Sequence, residues 1–309
     1  MACLPLSLYI PFNLPQRADL EKLLAQLVSG FTSATLLFLL ASGFSLIFGV
    51  SRVLNLAHGA MFALAGYIAF SVSQSLATSP LWFWILLVVV PIVMMGIGVL
   101  IEHFLLRRIY PAGIDAQVLL TVGLIYVIND VIRLIWGTGY KSVHIPLEFA
   151  GRLQIAGIQI AIYQIIVVAF GVLVAILLLS VIYRTRWGLL IRAAAEDREM
   201  TGVLGINERR LFATVFAAGS GLVGFAAVLT VPLLTVDLAL GTGILVDALV
   251  VVVVGGLGSI PGAIVASVLI GLIKAYGILI APQFSIVFVM SFMALVLLLR
   301  PSGLFGARR

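Results

Sequence analysis

Six stretches of the chain, residues 23–51, 53–101, 153–183, 211–236, 248–273 and 275–299, contain no Asp, Glu, Lys or Arg. A helix rises about 1.5 Å per residue and the hydrocarbon layer of a bilayer is about 30 Å thick, so about 20 apolar residues are enough to cross it. Every run meets that length, and residues 53–101 can cross twice. In lipid a lone segment satisfies its backbone polar groups only as a helix, so the runs require an all-α, polytopic transmembrane bundle. Composition agrees: 63% of the 309 residues are hydrophobic and 10% are charged, against about a quarter charged in soluble domains.

Gly and Pro punctuate the runs. Ser79 and Pro80 split the second, and Gly255-Gly256-Leu257-Gly258-Ser259-Ile260-Pro261-Gly262 parts two later segments. This predicts eight or nine spans, near residues 27–50, 54–75, 81–106, 115–137, 156–183, 211–232, 243–257, 262–280 and 284–300. Residues 1–26, whose apolar start is interrupted by Pro5, Pro11 and Pro15, read as a retained interfacial arm, and residues 301–309 as a short tail.

The net charge of +6 is concentrated in short loops, which argues for membrane topology rather than nucleic acid. Arg107 and Arg108, then six arginines between residues 184 and 210, then Arg300, Arg308 and Arg309 all fall on one side if the segments alternate. That side is cytoplasmic by the bias of basic residues. Nine crossings leave the N-terminus outside; a re-entrant first segment or a crossing arm reverses it.

Several classes of chemistry lack their residues. The chain has no GxxxxGKS or GxxxxGKT loop, so ATP binding requires another polypeptide. His58, His103 and His144 are far apart and offer no zinc spacing, and the single Cys3 offers neither a disulfide nor a thiolate cluster. No bound cofactor or metal is expected. A secondary transporter or channel would need a relay of intramembrane acids and histidines, and an enzyme a cluster of nucleophile and base; neither pattern is visible in the spans.

Polar and glycine positions in the apolar runs are the candidates for a translocation path or helix break. Asn55 and His58, three apart on one face and followed by Gly59, can contact a substrate or tie one helix to the next. Asp247 can meet a substrate ammonium, pair with Lys274 or face the outer water layer. Gly255, Gly256 and Gly258 break the chain between two small-residue helices. The segment 48–55 echoes 255–262 weakly, and interrupted helices in matching halves mark the central site of many transporters, though ordinary turns have the same composition.

The loop at residues 184–210 is amphipathic. Ala195, Glu196 and Asp197 precede Met200, Leu204, Gly205 and Ile206, so a short helix starting near Ala193 and ending near Gly202 or Gly205 carries acids early and apolar residues late. Such a helix suits a groove on a partner, and equally a solvated loop of basic character.

The string Val53-Leu54-Asn55-Leu56-Ala57-His58-Gly59-Ala60, the central loop and the Gly255 to Ala263 run resemble, in order and spacing, the permeases of high-affinity branched-chain amino acid importers. The resemblance covers nearly the whole chain and is closest to the shorter, first kind of Liv permease. It implies a second homologous permease, two cytoplasmic ATP-binding subunits and an extracytoplasmic binding protein, in a bacterial inner membrane. It makes residues 195–206 the coupling helix seated on an ATPase, with ATP used by that partner. Asp247 departs from the lysine common in that family, and sister permeases carry urea and short amides, so those substrates stand beside leucine, isoleucine and valine.

Overall fold

The computed structural model describes residues 17–76, 79–155 and 158–306. The chain forms α1 (Arg17–Ser51), α2 (His58–Ser75), α3 (Trp82–Ile101), a π-helical turn (Glu102–Leu106), α4 (Arg107–Ile109) and α5 (Ile114–Trp136). A hairpin, β1 (Arg152–Ile155) and β2 (Ile158–Ala161), leads into α6 (Ile162–Arg184), α7 (Arg186–Glu196), α8 (Arg198–Val203) and α9 (Glu208–Thr230). The chain closes with α10 (Leu240–Gly255), α11 (Ile260–Ile280) and α12 (Ser285–Leu299).

All nine expected segments are helices. Among the described residues, seven are long and apolar enough to cross a membrane, while α10 is a shorter apolar helix and α2 buries most of its length among its neighbours. Two boundaries move. Of the expected arm, residues 1–16 lie outside the described residues, and from Arg17 the rest is the start of α1. At 35 residues α1 is about 52 Å long, more than the hydrocarbon layer needs. Its first turns dock on the far end of α11, where the Gln26 amide donates to the Ala275 carbonyl and the Tyr276 hydroxyl to the Leu23 carbonyl at 3.2 Å. Residues 158–161, expected as the start of a helix, pair instead in the hairpin with Arg152 opposite Ala161. Leu153-Gln154-Ile155 and Ile158-Gln159-Ile160 alternate apolar and polar residues, which is the period of a strand.

Contacts sort the loops into two ends. Arg52 donates to the Ala195 carbonyl at 3.0 Å, Arg107 to the Arg209 carbonyl at 3.3 Å, and the Leu304 amide to the Val254 carbonyl at 2.8 Å. At the other end Lys141 and Val236 exchange backbone hydrogen bonds of 3.0 and 2.8 Å. The first end collects the arginine-rich segments and is called the basic end below.

The packing repeats within the chain. α1 lies along α11 as α3 lies along α9; α2 meets α9 as α10 meets α1; α1 also crosses α9, and α2 crosses α10. The crossings are reciprocal. A Cβ on Gly43 would strike the carbonyl oxygen of Gly219 at 2.6 Å and one on Gly219 that of Gly43 at 2.9 Å, while Gly59 and Gly241 oppose each other's carbonyls in the same way. A two-fold relating α1–α2–α3 to α9–α10–α11 accounts for these pairs. Because α1 runs toward the basic end and α9 away from it, the repeat is inverted, as in many transporters. The repeat matches the break at residues 52–57 to the α9–α10 connection, which corrects the echo read between 48–55 and 255–262. Those two breaks instead touch, with Gly258 against Gly49.

Small residues set the helix separations. Gly98 of α3 faces Ser220 and the Phe216 carbonyl of α9, whereas a Cβ on Gly96 would meet nothing within 4 Å. Gly98→Ala is therefore expected to lower the melting temperature of the purified protein, and Gly96→Ala to leave it unchanged or raise it, since alanine suits a helix interior better by about 1 kcal/mol. Equal melting temperatures for the two variants would contradict the α3–α9 contact.

Candidate functional site

The connection between α6 and α9 is built from three capped turns. Thr185 caps α7 by accepting from the Gly188 amide at 3.1 Å, Asp197 caps α8 by accepting from the Met200 amide at 3.0 Å, and Asn207 caps α9 by accepting from the Arg210 amide at 3.1 Å. α7 buries Gly188, Ile191 and Ala194 against the bundle. Arg192 donates to the Ile182 carbonyl, and its guanidinium lies 5.3 Å from the centre of the Tyr183 ring. Arg52 holds the Ala195 carbonyl, so α7 is fastened to the basic end of α1.

The single helix expected here is corrected to two. Asp197 is extended, at φ −142° and ψ 105°, and its carboxylate takes the Met200 amide, which has no carbonyl four residues back within α8. Glu196 is exposed at the end of α7. Beyond the break, Thr201 is buried and its hydroxyl donates to the Asp197 carbonyl at 2.6 Å, which turns the opposite side of α8 outward. Met200, Val203 and Leu204 are then 55%, 81% and 72% exposed. Gly205 ends the turn at φ +82°, and the half-buried Ile206 leads back to α9. The result is an apolar knob on a rigidly tethered support at the basic end.

Beside this knob sits a residue that the sequence reading passed over. Glu102 follows directly on the charge-free run 53–101 and is fully buried. Its carboxylate accepts from Arg107 Nη2 at 2.9 Å and Nε at 3.3 Å, and from the Tyr110 hydroxyl at 3.5 Å. The five-residue spacing fits the π-helical turn, whose hydrogen bonds also span five residues. The sequence signal was an acid and an arginine at that spacing where an apolar run stops. Arg107 also reaches the Arg209 carbonyl, and with Glu102, Tyr110 and Asn207 it lines a groove of about 670 Å³ under α8 and α9.

Asn55, His58 and Gly59 lie at the centre of the bundle, next to the reciprocal glycine pairs. Asn55 and His58 are buried; His58 Nε2 is 3.2 Å from the Leu40 carbonyl of α1, and its ring packs edge-on to Phe44. His58 thus contacts α1, while Asn55 Nδ2 lies 4.0 Å from the Met61 sulfur, and Asn55 Oδ1 and His58 Nδ1 are buried with no hydrogen-bond partner among the described residues.

The glycine break is built as a joint. Gly256 and Gly258 have φ +102° and +82°, and Ser259 caps α11 by accepting from the Gly262 amide at 3.1 Å. Gly255 abuts Gly262, and the tail packs over the joint through Phe305, whose amide donates to the Gly255 carbonyl at 3.0 Å. A cavity of about 310 Å³ lies between this joint and α7, lined by Ser45, Gly49, Arg192, Ala195 and Pro261 among others. Residues 258–261 and the α7 support thus share one space at the basic end.

Asp247 stands apart from both groups. It forms an ion pair with Lys274 of α11, one of its three expected roles. The pair lines a separate cavity on the side of the bundle nearer the other end.

The profile of the family described as branched-chain amino acid transport system, permease component, matches residues 26–299. The chain is 31% identical over 293 residues to the high-affinity branched-chain amino acid transport system permease protein BraD of Pseudomonas aeruginosa, covering 92% of this chain and 95% of that protein. It is 25% identical over 295 residues to the permease protein LivH of Escherichia coli K12, with the same coverage. A probable LivH of Methanocaldococcus jannaschii is 25% identical over 251 residues, covering 77% of this chain and 76% of that protein. No solved structure matches.

Proposed function

This chain belongs to the family of permease components of branched-chain amino acid transport systems, and from that membership we propose that it is the membrane-spanning subunit of an ATP-driven importer carrying leucine, isoleucine and valine into the cytoplasm. It is a multi-pass membrane protein, and the arginine-rich end faces the cytoplasm of a bacterial inner membrane. The chain itself makes and breaks no bonds; ATP is hydrolysed by two partner subunits beneath it, a second homologous permease lies beside it, and an external binding protein delivers the cargo.

The observation that carries this reading is the exposed Val203 and Leu204 on α8, held out from the basic end by α7 and its contact with Arg52. Side chains of that size left in water favour an apolar groove, and burying each is worth about 1.5–3 kcal/mol. Residues 195–206 are the coupling element. Closure of the ATPases pushes α7 as a lever against α1 and the glycine joint, and the two inverted halves rock about their glycine contacts between outward-open and inward-open states.

The test is the double variant Val203→Glu, Leu204→Glu, tagged and purified in mild detergent. Losing both buried side chains is expected to weaken ATPase binding by about a hundredfold or more. ATPase subunits then fail to co-purify and leucine uptake is lost, while the chain inserts at the wild-type level because the altered residues lie outside the apolar slab. Undiminished co-purification and uptake would overturn the assignment. A wild-type protein that moves solute in liposomes without any ATPase would be a secondary transporter or channel instead.

A further inference from the structure

Two opposite charges sit inside the apolar helices α10 and α11, where a charge is costly and is kept for a reason. Asp247 is in the middle of α10, Lys274 is one turn and a half before the end of α11, and their side chains form an ion pair. A second pair, Asp130 with Arg133, has both side chains more than half exposed near the end of α5 and needs no partner beyond water. The Asp247–Lys274 pair is different: its side chains are 23% and 37% exposed, and both line a cavity of about 100 Å³.

The cavity joins both halves of the inverted repeat. Ser33 and Leu36 of α1 and Phe62 of α2 line one side; Thr230 at the end of α9, Leu234 beyond it and Ile244 of α10 line the other. The charges belong to one half only. Asp247 follows Gly241 by six residues, and six residues after the matching Gly59 stands the buried Ala65. The fold therefore does not need an acid at this place in the repeat, since the other half packs without one.

We infer that Asp247 and Lys274 form a binding site for a zwitterion, taking the ammonium and carboxylate of an aliphatic α-amino acid between them on its way through the bundle. This rests on the importer reading above and specifies its cargo. A ligand that parts an ion pair in a cavity with mostly apolar walls must offer a cation to the acid and an anion to the lysine, or leave a charge poorly compensated. An α-amino acid offers both on adjacent atoms, and the site stays neutral throughout. Urea or an amide offers neither, and leaves the pair closed. The walls of Leu36, Phe62, Leu234 and Ile244 suit an aliphatic side chain, with Ser33 and Thr230 beside the charged head. The cavity is smaller than the roughly 150 Å³ that holds a benzene ring, so a ligand the size of leucine enters only as the pair separates.

The experiment uses the full complex, with partner permease and ATPases, in lipid nanodiscs and without the binding protein. Equilibrium binding of radiolabelled leucine is measured, with leucinamide, which lacks the carboxylate, and 4-methylpentanoate, which lacks the ammonium, as competitors. Asp247→Asn and Lys274→Met are each expected to weaken leucine binding by about tenfold or more. Melting temperature falls by no more than about 2–4 °C, because Asp247 and Lys274 are 23% and 37% exposed and the charge left in either variant reaches the cavity. Neither analogue competes in the wild type at about a hundredfold excess over leucine. The exchanged pair Asp247→Lys with Lys274→Asp retains leucine binding, since a zwitterion can turn round. Unchanged leucine binding in both single variants, or a loss that follows a larger fall in melting temperature, would make the pair structural and overturn the site while leaving the importer intact. A wild-type complex that binds and imports urea or amides but not leucine would overturn the site and the proposed cargo together.

Discussion

Arg107→Ala is expected to lower the unfolding free energy of the purified protein by about 3–5 kcal/mol, the range for removing one partner of a buried ion pair. Glu102 is fully buried, and Arg107 supplies two of its three hydrogen bonds, at 2.9 and 3.3 Å, leaving only the 3.5 Å contact from Tyr110. Without the guanidinium the carboxylate, itself fully buried, has no compensating charge in direct contact and meets the groove only across the space that the arginine vacates. The reverse change, Glu102→Gln, costs less, because Arg107 borders the large groove at the basic end and can turn toward water. The double variant Glu102→Gln, Arg107→Ala is then more stable than Arg107→Ala alone. Unfolding in detergent by heat or denaturant measures all three. A single-variant loss below about 1 kcal/mol, the scale of a surface pair, would mean that Glu102 is hydrated rather than buried.

Gly258→Leu is expected to prevent the bundle from assembling. At φ +82° the backbone of Gly258 lies where a side chain is strained, and a Cβ there would stand 2.8 Å from the Cα of Gly49 in α1. Neither partner can turn aside, since both are backbone, and a leucine drives its remaining atoms into the same gap. Gly258→Ala suffers the strain, about 1–2 kcal/mol, and the first contact, which adds to it, and gives a folded but less stable protein. Gly243→Ala, in α10 with nothing within 4 Å and an ordinary φ, serves as the neutral control. Size-exclusion profiles and uptake distinguish the three. Normal assembly and uptake in Gly258→Leu would show that α1 and the glycine joint do not meet as described.

These two sites differ in how far they could be read beforehand. Gly256 and Gly258 stand out in any sequence reading, because a glycine-rich run with Ser259 and Pro261 stops one helix and starts another by local chemistry alone. That Gly258 must also admit the backbone of Gly49 is a statement about two segments far apart in the chain. Glu102 is the opposite case. It is no more than the first charge after the run 53–101, inside the expected span 81–106, and its burial depends on the π-helical turn that swings Arg107 back over it. Residues 195–206 fall between: their amphipathic character was legible, but the break at Asp197 was not, because acid and arginine spacing alone suits one helix as well as two.

The sequence by itself determined the class of the fold, the nine helical segments and the end at which the arginines collect. Each follows from a requirement met within a single segment: a helix closes its own hydrogen bonds in lipid, and a basic loop resists crossing it. Only the tertiary structure decided that Gly43 meets Gly219, that Gly59 meets Gly241, that Asp247 faces Lys274 across a cavity and that α8 turns Val203 and Leu204 outward. Those are choices of partner between helices that are equally apolar on most sides. With no hydrophobic drive separating one face from another in lipid, close fit between small residues and a few polar contacts choose the neighbours, and both depend on the arrangement of the whole bundle.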